Sequence, residues 1–165
     1  MHALLLTILS FCPATLAQRD SYTVCYDTHN QRPLWTIHTI APATTPAARK
    51  HWRKDHQLNS LPSSAFTNTG FDRGHLTPAA DVPASEDAYL TSNAIAQNPA
   101  LNRGQWRRLE NRLRQHTGAT IVTGAIYANC GNETIEAPCL LFKVAFLPNG
   151  ELIAALHLNA PKIPH

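Results

Sequence analysis

Apolar and polar residues alternate over residues 22–27 and again over 33–40, with the turn formers Thr28-His29-Asn30 between them. A period of two predicts a pair of strands. Residues 119–128 (ATIVTGAIYA), 140–147 and 151–158 are β-rich, and Pro148-Asn149-Gly150 joins the last two as a hairpin. Residues 41–46 form a Pro/Thr/Ala connector, residues 47–54 read as a short basic helix or a loop, and residues 59–70 read as a loop. Residues 85–90 suit one or two helical turns with Ser85 as cap, and 91–97 a short strand. The best helix opens at Asn98-Pro99 and runs to about His116, where Gly118 stops it. Strands, one long helix, then strands predict an α+β fold with a mainly antiparallel sheet.

At about 100° per residue, Asn102, Trp106, Leu109 and Leu113 of that helix lie within roughly 60° of one another. Arg103, Arg107, Glu110 and Arg114 continue round from this stripe on one side. Asn102 thus sits at the N-terminal end of the buried stripe. A polar amide there is a cap or a ligand, and the helix alone favours the cap.

The length of 165 residues suits one domain, and a net charge of +3 does not by itself establish a nucleic-acid partner. The distribution of charge says more. Arg103, Arg107, Arg108, Arg112 and Arg114 crowd one segment, and Arg49, Lys50, Arg53 and Lys54 another. Residues 3–11 are apolar and Pro13-Ala14-Thr15-Leu16-Ala17 offers small residues, which predicts a signal peptide over 1–17 with a cut after Ala17. Met1-His2 supplies none of the usual positive charge. The run is too short to span a bilayer, so the mature chain, 18–165, is expected to be exported without a membrane anchor, to the periplasm or beyond the cell. That cut removes Cys12. Cys130 and Cys139 flank a polar loop and are expected to pair, which stabilises by roughly 2–3 kcal/mol. Cys25 is then left over, buried on a strand. No cysteine spacing suits zinc, and His38, His51 and His56 follow no metalloprotease spacing.

The chemistry concentrates in Phe71-Asp72-Arg73-Gly74-His75-Leu76-Thr77-Pro78. A lone histidine is by default a packed one. Here Arg73 stands two residues away, Gly74 lets the backbone approach a ligand closely, and Pro78 stiffens the exit. A neutral imidazole takes a proton from water at physiological pH. A base, a cation, a neutral oxygen ligand and a basic helix are the parts that metal-assisted phosphodiester hydrolysis needs.

Asp72-Arg73-Gly74-His75, Ser92-Asn93, Leu101-Asn102 and Arg108-Leu109-Glu110, with Phe142-Lys143-Val144 later, resemble the DNA/RNA non-specific endonuclease family of ββα-metal (His-Me finger) nucleases. The resemblance covers roughly residues 22–159. It implies a mainly antiparallel sheet with a metal-bearing helix. It also implies His75 as general base, Asn102 as the single protein ligand of Mg²⁺ (or of Mn²⁺ as substitute), and Glu110 ordering the metal's water shell. Asn93 is implied as a supporting residue, and Arg73 and Arg114 as phosphate contacts. Arg103 and Arg107 are expected to add phosphate contacts, and Arg49 or Arg53 matches an upstream substrate-binding arginine of the family. The implied activity is sequence-non-specific hydrolysis of DNA and RNA to 5′-phosphate products. The rival is a nucleic-acid-binding or DNA-uptake module of the same fold without turnover. Nothing in the sequence indicates an inhibitor protein or a homodimer.

Overall fold

A computed structural model describes residues 10–42, 51–83, 86–132 and 134–159. Six antiparallel strands form the main sheet: β1 (Thr15–Gln18), β2 (Thr23–Asp27), β3 (Arg32–Thr39), β6 (Thr120–Ile126), β7 (Leu140–Phe146) and β8 (Leu152–Leu158), in the order β1-β2-β3-β6-β7-β8. The remaining two, β4 (Asp72–His75) and β5 (Ala94–Gln97), pair with each other. Helix α1, residues 99–113, follows β5.

The sheet follows from the alternation of its strands. Along β7, Leu141, Lys143 and Ala145 are buried on one face while Leu140, Phe142, Val144 and Phe146 line the other. Gly150 at φ +89° closes the hairpin into β8, a left-handed conformation that glycine adopts at low cost. On the inner face, Leu113 of α1 packs with Ile40, Ala119, Ile121, Ala145 and Leu147. A second cluster joins the three parts that carry the motifs. It holds Leu76 and Ile95 beside the β4–β5 hairpin, Leu101 and Trp106 of α1, and Ala125 and Leu141 of the sheet. Trp106 is 1% exposed. Burying its indole between hairpin and sheet is the largest single apolar contribution to the helix's placement.

Two expectations need correction, the unpaired Cys25 and the strand over 91–97. Residues 15–17, assigned above to the signal, belong to β1, with Leu16 opposite Cys25 and Ala17 buried among Tyr22, Val24, Tyr26 and Leu58. Cys25 is therefore not left over. The return of β1 onto β2 brings Cys12 to a Cα separation of 5.6 Å and the two form a disulfide. A cut after Ala17 would divide β1 and discard Cys12. Residues 91–97 are also less regular than expected: a 3₁₀ turn, Thr91–Asn93, precedes β5. The expected Cys130–Cys139 disulfide is present. Residues 1–9 of the apolar N-terminus, residues 43–50 (with Arg49 and Lys50 of the basic segment 47–54) and Ser85 lie outside the described residues. No helix among the described residues is long and apolar enough to cross a membrane.

A chain begun at Gln18 should be less stable to denaturant than one begun at Ser10. The disulfide spans 13 residues, which amounts to about 3 kcal/mol, and equal midpoints in urea would show that β1 and its disulfide contribute nothing.

Candidate active site

The motif Asp72-Arg73-Gly74-His75 is the whole of β4. Alternation turns Asp72 and Gly74 to one face of the hairpin and Arg73 and His75 to the other. Gly74 is needed for close approach. A Cβ there would stand 2.0 Å from Oε1 of Gln97, whose side chain fills the space. Both amide atoms of Gln97 are buried and have no hydrogen-bond partner among the described residues.

His75 packs against two aromatic rings. Its centroid lies 4.4 Å from that of Trp52 and 5.2 Å from that of Tyr89, the latter edge-on. Its Nε2 is buried and has no hydrogen-bond partner among the described residues. Burial alone lowers its pKa from 6.5 to about 4, so the imidazole is neutral at physiological pH. Arg73 is exposed and donates to the hydroxyl of Ser63.

Asn93 is fully buried and spends its amide on backbone. Its Oδ1 accepts from Thr77 N at 2.9 Å, and its Nδ2 donates to Thr77 O and Ala88 O, each at 2.9 Å. It clamps the chain just after His75 to the turn before β5.

The N-cap of α1 is Asn98, whose side chain accepts from Ala100 N and Leu101 N. Asn102 is thereby released from the capping role that the helix pattern favoured. Its Nδ2 donates to Asp72 Oδ2 at 2.9 Å, and Arg103 grips the same carboxylate through Nε at 2.9 Å and Nη2 at 2.5 Å. Burial works against the Asp72 carboxylate, but the Arg103 guanidinium and the Asn102 amide outweigh it and hold its pKa below the usual range. Asn102–Trp106 is a π-helical turn, with Gly104 (φ −109°, ψ −107°) outside helical geometry. Such loosened turns re-aim side chains within a helix.

Further along α1, Glu110 is largely buried and lies 3.9 Å from Lys143 Nζ, which also donates to Thr123 Oγ1 at 2.7 Å. Burial pushes the Glu110 pKa up and the Lys143 pKa down, and each is opposed by the other's charge. Arg114 donates through Nε to Asp81 Oδ1 at 2.7 Å and through Nη1 to Asn111. The other Asp81 oxygen lies 3.3 Å from His38 Nε2. Burial keeps the His38 pKa low despite Asp81.

The predicted residues thus fall into neighbouring groups. The structure joins Asn102 and Arg103 through Asp72, ties Glu110 to Lys143, and anchors Arg114 on Asp81. Arg103, expected to be free for phosphate, is committed to Asp72. Arg53 pairs with Glu86 at 3.2 Å, while Arg107 is exposed. Trp52, Tyr89, Asp81 and Gln97 were missed as site residues. Lys143 carried a signal: a lysine at an inward position of an otherwise apolar strand requires a buried anion. Trp52 and Tyr89 carried none, since both lie in irregular segments.

A divalent metal is implied by the resemblance, and the residues fit one. The Asp72 carboxylate accepts only, so it takes the NH₂ of Asn102 and leaves the amide Oδ1 of Asn102 without a hydrogen-bond partner among the described residues. A neutral amide oxygen suits a hard cation that keeps several waters. No cluster of three or more His, Cys, Asp or Glu suited to a metal occurs among the described residues.

The chain matches the family model for DNA/RNA non-specific endonuclease over residues 11–164. It is 28% identical over 163 residues to the human protein Endonuclease G, mitochondrial, covering 81% of this chain and 55% of that one. It is 31% identical over 130 residues to the Mitochondrial nuclease of Saccharomyces cerevisiae, covering 68% and 39%. With the Salivary endonuclease of Lutzomyia longipalpis it shares 23% over 188 residues, covering 86% and 46%. The chain spans less than two thirds of the length of each of these relatives. A chain of the crystal structure of the EndoG/EndoGI complex superposes with a TM-score of 0.74 at 18% identity, covering 94% of this chain and 79% of that chain, which shows a common fold. With a family match over nearly its whole length and the family's ββα architecture around Asp72–His75 and Asn102, this chain belongs to the DNA/RNA non-specific endonuclease family.

Proposed function

We propose that the protein is an exported, Mg²⁺-dependent endonuclease that hydrolyses DNA and RNA without sequence preference and leaves 5′-phosphate ends. The observation that carries this reading is the Asn102–Asp72 clamp, which presents one amide oxygen at the start of α1 beside the motif strand. A binding module has no use for a lone oriented oxygen together with a neutral, half-buried histidine. Two disulfides support export.

In this reading His75 takes the proton from the attacking water, and its low pKa keeps it free to do so. Asn102 would hold the cation through Oδ1, and Glu110 would order its water shell. The cation, when bound, supplies positive charge for the phosphate oxygens and the leaving 3′-oxygen. Arg114, fixed on Asp81, and the exposed Arg73 and Arg107 meet the phosphate backbone; Arg53 and Arg103 contribute when they leave Glu86 and Asp72. Phosphate contacts carry no sequence information, and they make binding fall with salt. A general base contributes about 10²–10⁴-fold, so charge stabilisation and positioning supply the larger share of the rate.

Asn102→Ala should lower supercoiled-plasmid nicking in Mg²⁺ by at least about 10²-fold, the loss expected for one group stabilising transition-state charge. Near-normal nicking by that variant would sink the metal assignment. His75→Ala should cost about 10²–10⁴-fold, and EDTA should abolish wild-type cleavage. No nicking by the wild type, with DNA still retarded on a gel, would favour the binding module.

The pH profile gives a separate check. A base with pKa about 4 is charged only below that value, so the acid limb of kcat/KM should lie near pH 4 and not near 6.5. The same shift has a stability consequence. The unfolded chain binds the proton first, so His75 removes stability as pH falls from 6.5 towards 4. An acid limb near 6.5 would place the base elsewhere.

A further inference from the structure

We infer that Trp52 and Tyr89 are positioning residues for His75: their rings hold the imidazole in one neutral orientation, in place of the hydrogen bond that usually orients a catalytic histidine. The inference rests on the reading of His75 as the general base. A base of this kind is ordinarily aimed by a carboxylate or carbonyl on its second ring nitrogen. Here Nε2 is buried with no such partner among the described residues. The contacts that remain to fix the ring are aromatic. Trp52 lies across it at 4.4 Å with a 39° tilt, and Tyr89 meets it edge-on at 5.2 Å. Trp52 and Tyr89 also touch each other, 5.7 Å apart and edge-on, so the three rings form one closed group.

The two rings arrive as a unit because their backbones are zipped together. Arg53 N donates to Tyr89 O at 2.9 Å, and Thr91 N donates to Arg53 O at 2.8 Å. This parallel bridge, Arg53 with Leu90, joins two segments that have little regular structure of their own. A buried polar knot fixes the pair to the sheet. Asp55 Oδ2 accepts from Arg19 Nη2 at 2.5 Å and from Ser92 Oγ at 2.6 Å. Arg19 follows β1 directly, and Ser92 adjoins the Asn93 that clamps Thr77. The irregular segment carrying Trp52 is thus held at both ends of the site by hydrogen bonds.

Among the described residues, the rings facing His75 are Trp52 from the extended segment and Tyr89 from the 3₁₀ turn Glu86–Tyr89. Arg73, two residues back on the same face of β4, turns its guanidinium to Ser63. Among the described residues no charged side chain contributes to the low pKa of His75, and burial is the cause. Two effects of the aromatic rings compete. A ring face attracts imidazolium and would raise the pKa, whereas exclusion of water lowers it. The closure of Nε2 makes exclusion the stronger, and the direction of change on removing a ring decides between them.

The test is an NMR titration of the His75 ring in metal-free protein, its resonance identified by loss in His75→Gln, for wild type, Trp52→Ala, Trp52→Phe and Tyr89→Ala. Trp52→Ala should raise the His75 pKa by about one unit or more towards the ordinary 6.5, and Trp52→Phe should restore most of the shift. In Mg²⁺, Trp52→Ala should lower kcat on plasmid at least about tenfold with KM little changed, and its acid limb should move with the NMR value. An unmoved or lowered pKa in Trp52→Ala overturns the inference. If that variant does not fold, the same result in Tyr89→Ala does so. The titration needs no cleavage, so the two readings fail separately. A protein that shows the shift and cuts no plasmid defeats the nuclease reading, while one that cuts plasmid with an unmoved His75 defeats the clamp.

Discussion

One carboxylate joins the two halves of the site. Asp72 belongs to the motif strand and accepts hydrogen bonds from Asn102 and Arg103 of the helix. Because an ionised carboxylate only accepts, it dictates which end of the Asn102 amide faces outward. The helix must therefore sit at one height and rotation against the hairpin for the amide oxygen to be presented. Trp106, buried between hairpin and sheet, sets that height, and the π-helical turn between Asn102 and Trp106 adjusts the rotation.

Beneath the helix the protein keeps an unusual amount of charge out of water. Lys143 pairs with Glu110 and Arg114 with Asp81, and neutral His38 lies against the other Asp81 oxygen. Buried ions are costly unless each is paired and hydrogen-bonded. Here Thr123 satisfies Lys143, Asn111 takes part of Arg114, and Trp106 lies 5.0 Å from the Lys143 ammonium. Such a network gains little stability over an apolar core of equal volume. It does specify where the last turns of α1 lie, since any slip would leave a charge unpaired.

Much of the fold was legible because it follows from short-range periodicity. The alternation in residues 33–40, 119–128, 140–147 and 151–158 produced β3, β6, β7 and β8, and Asn98-Pro99 with Gly118 bounded the helix region. Cys25 was read as left over because a short apolar stretch with small residues suits both a signal-peptide cleavage site and an edge strand. What separates them is the partner: Leu16 opposite Cys25 and the Cys12–Cys25 bond are long-range facts. Asn102 was read first as a cap for a similar reason. The helical wheel places it on the buried stripe but does not show that Asn98 already caps the helix or that Asp72 waits across the hairpin.

The sequence by itself determined the chemistry available: a histidine and arginine about one glycine, an asparagine and glutamate on one helix, and the strand periods that bring them into an α+β frame. These are set by residue identity and local spacing, which act over a few ångströms along the chain. The tertiary structure decided which of those groups are free to react. It committed Arg103 to Asp72, spent Asn93 on backbone, anchored Arg114 on Asp81, and enclosed His75 between Trp52 and Tyr89. Each of those outcomes depends on desolvation and on partners in other segments of the chain, and neither quantity is written in the spacing of a motif.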